Sequence, residues 1–200
     1  MSEGVSTLLP YVVCLLAGYI AGSFPTAFLL VRWKSRIDIR HAGSGNVGTA
    51  NTLDVTGSKA LSLAVLALDV AKGALAVLIS KAFGSDPWLS CAAGIGAVAG
   101  HNYPVWLRFH GGRGLATAAG VFLLTGWAFV PLWLALFGLA YARWRDVHTG
   151  NVLALLLAPM IALAVPYGDA AWRALMLALT ALMLLRHADV FGAVRTRLFS

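Results

Sequence analysis

The stretch LATAAGVFLLTGWAFVPLWLALFGLAYA, Leu115 to Ala142, carries no charge and decides the fold. A helix needs about 20 apolar residues, rising about 1.5 Å each, to cross the hydrocarbon of a bilayer. This run is long for one crossing and short for two. Gly126 and Pro131, in TGWAFVP, are the turn punctuation that two short helices joined by a tight hairpin would need. Further apolar runs extend over Leu8 to Val31, Ala60 to Phe83, Trp88 to Leu107, Val152 to Pro166 and Ala171 to Leu185. Charge parity then sets the count, because lysine and arginine in short loops stay on the cytoplasmic side. With the hairpin in place, Arg32, Lys34, Arg36, Arg40 and Lys59 share a side with Arg108, Arg113, Arg143, Arg145, Arg186, Arg195 and Arg197. Without it, the last five would lie outside. The reading is an all-α, polytopic membrane protein of seven transmembrane helices, N-terminus outside and C-terminus cytoplasmic.

Composition supports this class. Apolar residues make up 60% of the 200-residue chain and charged residues 12%, against about 45–50% and 25% in a soluble domain. The net charge of +7 is read as topology signals and anion contacts, and no nucleic-acid partner is expected. Cys14 and Cys91 fall in apolar runs and read as small hydrophobes. Ser2 and Glu3 stand where a secretory signal would carry positive charge, so the first run is expected to be an uncleaved span. With no linker rich in Pro, Gly or Ser, residues 1–200 read as a single integral membrane domain.

Two loops on the expected cytoplasmic side are suited to anions. The first, DIRHAGSGNVGTANT from Asp38, has Gly43, Gly45 and Gly48 in a G-x-G-x-x-G pattern, but it follows a membrane span, so the dinucleotide reading fails. Glycines of this spacing still allow successive N–H groups to converge on an anion, with Ser44, Asn46, Thr49 and Asn51 as added donors. The bland alternative is a loop that only turns the chain. The second loop, GHNYPVWLRFHGGRGLAT from Gly100, sets Gly111, Gly112 and Gly114 around Arg113, just before a helix N-terminus. His101 is a candidate acid or base, and equally a histidine satisfied within the bundle. Tyr103, Trp106 and Phe109 read as interfacial anchors.

Asp69 and Lys72 in LALDVAKGAL lie three residues apart within a span, on one helix face. A charge at the bilayer centre costs about 3 kcal/mol on insertion scales, so both should face the bundle, lining a polar cavity or locking helices as an ion pair. Arg186 and His187 follow the last run, and His148, Thr149 and Asn151 form a weaker polar group. Motifs for zinc proteolysis, a hydrolase elbow and thiol redox chemistry are missing from the sequence, and none of the five histidines is followed five positions on by Asp.

In combination these segments resemble the bacterial membrane glycerol-3-phosphate acyltransferases that use acyl-phosphate. The resemblance rests on GSFPTA from Gly22, IDIRHAGSGNVG from Ile37, Lys59, the Asp69, Lys72 and Gly73 set, GHNYP with FHGGRGLAT, and Arg186 with His187. It implies seven helices and acyl transfer to the 1-hydroxyl of sn-glycerol 3-phosphate, giving lysophosphatidic acid, with no cofactor and no metal. It implies acyl-phosphate and glycerol 3-phosphate as substrates, membrane lipid as surroundings, a soluble acyl-phosphate-producing enzyme as a partner, and the bacterial cytoplasmic membrane as location. Carried onto this chain, Ser44, Asn46, His101 and Arg113 are the catalytic candidates. Arg40, Gly43, Gly45, Gly48, Thr49, Asn51, Lys59, Asp69, Lys72, Gly111, Gly112, Gly114, Arg186 and His187 are the substrate-binding candidates. The chain differs from the family pattern at Asp54, Arg113 and Val190, where a basic residue, a lysine and an asparagine are usual. A non-catalytic relative, or a small transporter that binds lipid phosphate or another anion, is the alternative.

Overall fold

The computed structural model describes the backbone of residues 2–198 and the side chains of residues 7–198. Its regular elements are all helical among the described residues. They are α1 (Ser2–Gly22), α2 (Thr26–Ser35), α3 (Thr49–Thr56), α4 (Lys59–Lys81), α5 (Pro87–Asn102), α6 (Leu115–Thr125), α7 (Phe129–Trp144), α8 (Val147–Ala164), α9 (Ala170–Leu185) and α10 (Phe191–Leu198). Short 3₁₀ turns lie at Ile39–His41, Val105–Leu107 and Ala188–Val190.

The uncharged run divides where its punctuation stands. Helix α6 stops at Thr125, Gly126 caps it, and Pro131 sits in the first turn of α7, where its missing N–H leaves no gap in the ladder. Ring packing among Phe122, Phe129 and Trp172 holds the two halves of this break to α9. The run from Leu8 to Val31 behaves differently from its reading as one segment. Ser23, Phe24 and Pro25 interrupt it, and α2 starts beyond the proline.

Among the described residues, length and composition give three stretches able to cross a membrane alone, Thr7–Ser35, Lys59–Lys81 and Val147–Ala164. A fourth arises if α9 and the 50°-bent continuation Ala188–Leu198 count as one span. Helix α6, with 11 residues, is only about 16 Å long at 1.5 Å per residue, roughly half the hydrocarbon thickness. Large apolar side chains such as Leu8, Ile20, Leu63, Leu139 and Met160 point outward, as lipid contact requires.

Glycine and alanine make the closest crossing possible. Gly18 and Gly22 of α1 lie against the backbone at Ala93 and Ala97 of α5, while Gly96 and Gly100 of α5 lie against Leu15 and Tyr19 of α1. Two reciprocal small-x-x-x-small pairs therefore bring the helices to backbone contact. Gly73 and Gly120 do the same for α4 and α6, against Thr117 and Val70. A cluster of Ala27, Val31, Ile39, Val47, Val65 and Leu107 then anchors the connections after α2 and α5 to the same end of the bundle.

Candidate active site

The first glycine loop is built around one side chain. Asn51, in the first turn of α3 and 1% exposed, donates from Nδ2 to the carbonyls of Ala42 and Asn46 at 3.0 and 2.9 Å. Its Oδ1 accepts from the Ser44 N–H at 2.9 Å. Gly43 and Gly45 take φ of +57° and +72°, the left-handed region that only glycine enters without cost. A side chain on Gly43 would also collide with the Asn51 amide. Gly48 has an extended φ of −163° and caps α3.

The second loop is held by Arg186. Its Nε and one NH2 group donate to the carbonyls of Gly112 and Gly111, both at 3.0 Å, and its guanidinium lies 5.4 Å over the ring of Tyr103. Tyr103 therefore acts as the floor of Arg186, a different role from the interfacial anchor expected of it. The neighbouring Trp106 is exposed but donates to Ser23 Oγ at 2.9 Å, tying this loop to the end of α1. Gly114 takes φ of +85° and starts α6, and Asn102 beneath it bonds the Leu182 carbonyl of α9.

The two loops meet. Ser44, Gly45, Asn46, Arg113, Leu185, Arg186 and Asp189 line one open cavity of about 190 Å³. A side chain on Gly112 would press on both the His101 ring and the Val47 carbonyl, so the loops touch at that residue. Two guanidinium groups, the turn from Ser44 to Asn46 and the Ser44 hydroxyl thus face a space large enough for a phosphate ester. Arginine is the chemistry that holds phosphoryl oxygens, whereas the N–H groups of the turn are spent within the loop, on Asn51 Oδ1, the Ala42 carbonyl and Ser44 Oγ.

Other candidates lie outside this cavity. Arg40 pairs with Asp38 at 2.6 Å and covers the Phe28 ring; that guanidinium holds the Asp38 carboxyl at about 2, below the ordinary carboxylate range. Lys59 is exposed at the start of α4, and Thr49 takes part through its carbonyl, which accepts from Ser62. His187 is fully buried, with Nδ1 2.7 Å from the Met183 carbonyl.

Asp69 and Lys72 face the bundle interior, 1% and 8% exposed, with Lys72 Nζ 2.7 Å from Asp69 Oδ1 and 3.1 Å from the Phe24 carbonyl. Thr26 donates to the same Asp69 oxygen, and His101 Nδ1 stands 3.6 Å from it. This buried polar knot fastens the break between α1 and α2 to α4 and α5. With Val47 it borders a void of about 10 Å³, too small for substrate. His101 lies against Gly112 and is absent from the larger cavity's lining, so it is placed to support the second loop.

Two residues escaped the sequence reading. Arg113 NH1 meets His148 Nδ1 at 2.9 Å, and its NH2 meets the Asp189 carboxylate at 2.8 Å. His148 belonged to a polar group ranked as weak. Asp189 follows Arg186 by three positions, a spacing that could have placed both on one side of the tail.

The model of the family described as Glycerol-3-phosphate acyltransferase matches residues 12–196. The chain belongs to that family. Among its relatives, the glycerol-3-phosphate acyltransferase of Parasynechococcus marenigrum (strain WH8102) is 40% identical over 186 residues, 92% of this chain and 85% of the relative. That of Rhodospirillum rubrum is 43% identical over 169 residues, covering 80% and 78%. A solved structure of PlsY (YgiH), an integral membrane glycerol 3-phosphate acyltransferase in its glycerol 3-phosphate form, superposes with a TM-score of 0.82. It is 28% identical, over 93% of this chain and 92% of that one. The lysophosphatidic acid form of the same protein gives 0.81 at 27% identity, with the same coverage. This acyltransferase is accordingly a multi-pass membrane enzyme, and its two glycine loops meet at one cavity.

Proposed function

We propose that this acyltransferase moves a fatty acyl group from acyl-phosphate to the 1-hydroxyl of sn-glycerol 3-phosphate, in the bacterial cytoplasmic membrane. The products are lysophosphatidic acid and inorganic phosphate. The observation that carries the reading is the meeting of the Ser44–Asn46 turn with Arg113 and Arg186 in one cavity. Both substrates are phosphates with reacting ends that must lie side by side, and this cavity offers several phosphate donors in one place.

An acyl-phosphate is already activated, so catalysis reduces to orientation and charge stabilisation. The substrate hydroxyl attacks the acyl carbon, a new ester C–O bond forms, and the bond from the acyl carbon to the phosphate oxygen breaks. The hydroxyl proton passes to the departing phosphate, since His101 is outside the cavity. Arg113 and Arg186 stabilise the charge that develops on the leaving group, and the Ser44 and Asn46 side chains orient the acceptor. No acyl-enzyme forms. The acyl chain extends from the cavity into the surrounding lipid; the apolar crevice lined by Leu115, Ala118, Phe122, Phe129, Val130 and Trp133, about 30 Å³, is too small to enclose it.

In this reading the whole chain is one membrane domain of seven helices, α1 and α4 to α9, with the N-terminus outside and both loops facing the cytoplasm. A soluble enzyme that makes acyl-phosphate delivers the donor from that side. Purified protein in detergent, given an acyl-phosphate and labelled glycerol 3-phosphate, is expected to form labelled lysophosphatidic acid. Arg113→Ala and Ser44→Ala should each lower the rate at least about tenfold, one lost charge-assisted contact being about 1.5–3 kcal/mol. Binding of glycerol 3-phosphate without turnover would instead support a non-catalytic relative, and an acylated Ser44 would overturn direct transfer. Ala128→Cys, in the α6–α7 hairpin, should be labelled by an impermeant thiol reagent from outside only.

A further inference from the structure

Asp189 places a carboxylate inside a cavity otherwise built for anions. Its Oδ2 is 2.8 Å from Arg113 NH2, and the other terminal nitrogen of Arg113 is held by His148. Arg186, the second guanidinium of the cavity, already spends Nε and one NH2 on the carbonyls of Gly112 and Gly111. A phosphate entering here must therefore compete with Asp189 for Arg113. The two partners of this pair differ in freedom: the Arg113 side chain is 12% exposed and that of Asp189 63%. Asp189 stands on the 3₁₀ turn Ala188–Val190, so its side chain can rotate into solvent without disturbing α9.

We propose that Asp189 is a specificity-determining counter-ion: it occupies Arg113 when the cavity is empty, yields to a substrate phosphate, and reclaims Arg113 to help expel the inorganic phosphate left by acyl transfer. The inference rests on the acyl-phosphate reading above. A bound ester is also held through its acyl or glyceryl part, whereas inorganic phosphate has only these polar contacts, so competition by a carboxylate weakens the free anion most.

The experiment measures the dissociation constant of inorganic phosphate for the full-length protein in phospholipid-free nonionic detergent by titration calorimetry, alongside phosphate inhibition of acyl transfer. Asp189→Asn is expected to bind phosphate about five- to tenfold more tightly, the size of one like-charge contact near a solvated surface, and to be inhibited at correspondingly lower phosphate. Asp189→Glu should stay near wild type. Asp54→Asn, an equal charge change at an exposed position on α3 that does not line the cavity, should leave both values unchanged. Unaltered or weaker phosphate binding in Asp189→Asn overturns the proposal, as does equal tightening in Asp54→Asn. If the wild type transfers acyl groups and Asp189→Asn shows no tightening, the counter-ion fails and the function stands. If phosphate tightens but no lysophosphatidic acid forms, the function fails while competition for Arg113 stands.

Discussion

Asn51 and Ser44 are joined side chain to backbone: the Asn51 Oδ1 accepts the Ser44 N–H at 2.9 Å, while the same amide group holds the carbonyls of Ala42 and Asn46 from the other end. One amide therefore closes the whole first glycine loop. This is a different task from the direct phosphate donor expected of Asn51, because its hydrogen-bonding capacity is already committed.

Asn51→Ala should raise the KM for glycerol 3-phosphate by at least about tenfold, since buried carbonyls left unpaired cost about 1–3 kcal/mol each. Asn51→Asp should do no better, because it keeps the acceptor for Ser44 but turns carboxylate oxygen toward carbonyl oxygen. Steady-state kinetics on the two variants, with melting temperature in detergent as a control for folding, checks both. A KM unchanged in Asn51→Ala would show that the loop holds its shape by other means.

Arg186 grips two carbonyls and lies over Tyr103, a planar arrangement that a lysine cannot copy with one compact ammonium. Arg186→Lys should therefore lose rate by about tenfold, one charge-assisted contact, despite keeping the positive charge. A variant with wild-type kinetics would mean that charge alone matters there.

The α1–α5 crossing predicts a stability effect remote from the chemistry. A methyl on Gly100 would collide with the backbone at Tyr19 and Ser23, so Gly100→Ala should destabilise by about 1–3 kcal/mol, the range for overpacking. Gly138→Ala, where nothing lies within 4 Å, should leave the melting temperature unchanged or slightly raised. Thermal unfolding in detergent compares the two directly.

The pairing of Asp38 with Arg40 gives a pH window. Its folded value of about 2 lies below the unfolded carboxyl near 4, so the pair's contribution is complete above about pH 4 and is lost as pH falls toward about 2. The melting-temperature gap between wild type and Asp38→Asn should be constant from pH 7 to about pH 5 and shrink below that. A gap that widens on acidification contradicts the sign.

Much of the fold was legible because the signals involved are local. An uncharged run, a glycine before a proline and a net of arginines between apolar segments announce a membrane bundle and place the break at Gly126. Insertion cost alone turns Asp69 and Lys72 inward. The site was half legible on the same terms: glycine spacing indicates loops that can take left-handed φ, and both loops were found. What the sequence could not show is partnership across the bundle. Asn51, Thr49 and His101 carry donors or acceptors in any sequence reading, yet whether those atoms face a substrate or are spent on loop and bundle depends on neighbours far away in the chain.

The sequence by itself determined that the chain is helical, lives in a membrane and carries two glycine-rich basic loops, because hydrophobicity, charge and backbone freedom are properties of individual residues and their spacing. Only the tertiary structure decided which groups share the cavity: it brought Ser44 within one pocket of Arg113 and Arg186, withdrew His101 behind Gly112, and set Asp189 on Arg113. Those outcomes follow from helix crossings and hydrogen bonds spanning as many as 84 positions, and such contacts exist only once the bundle has closed.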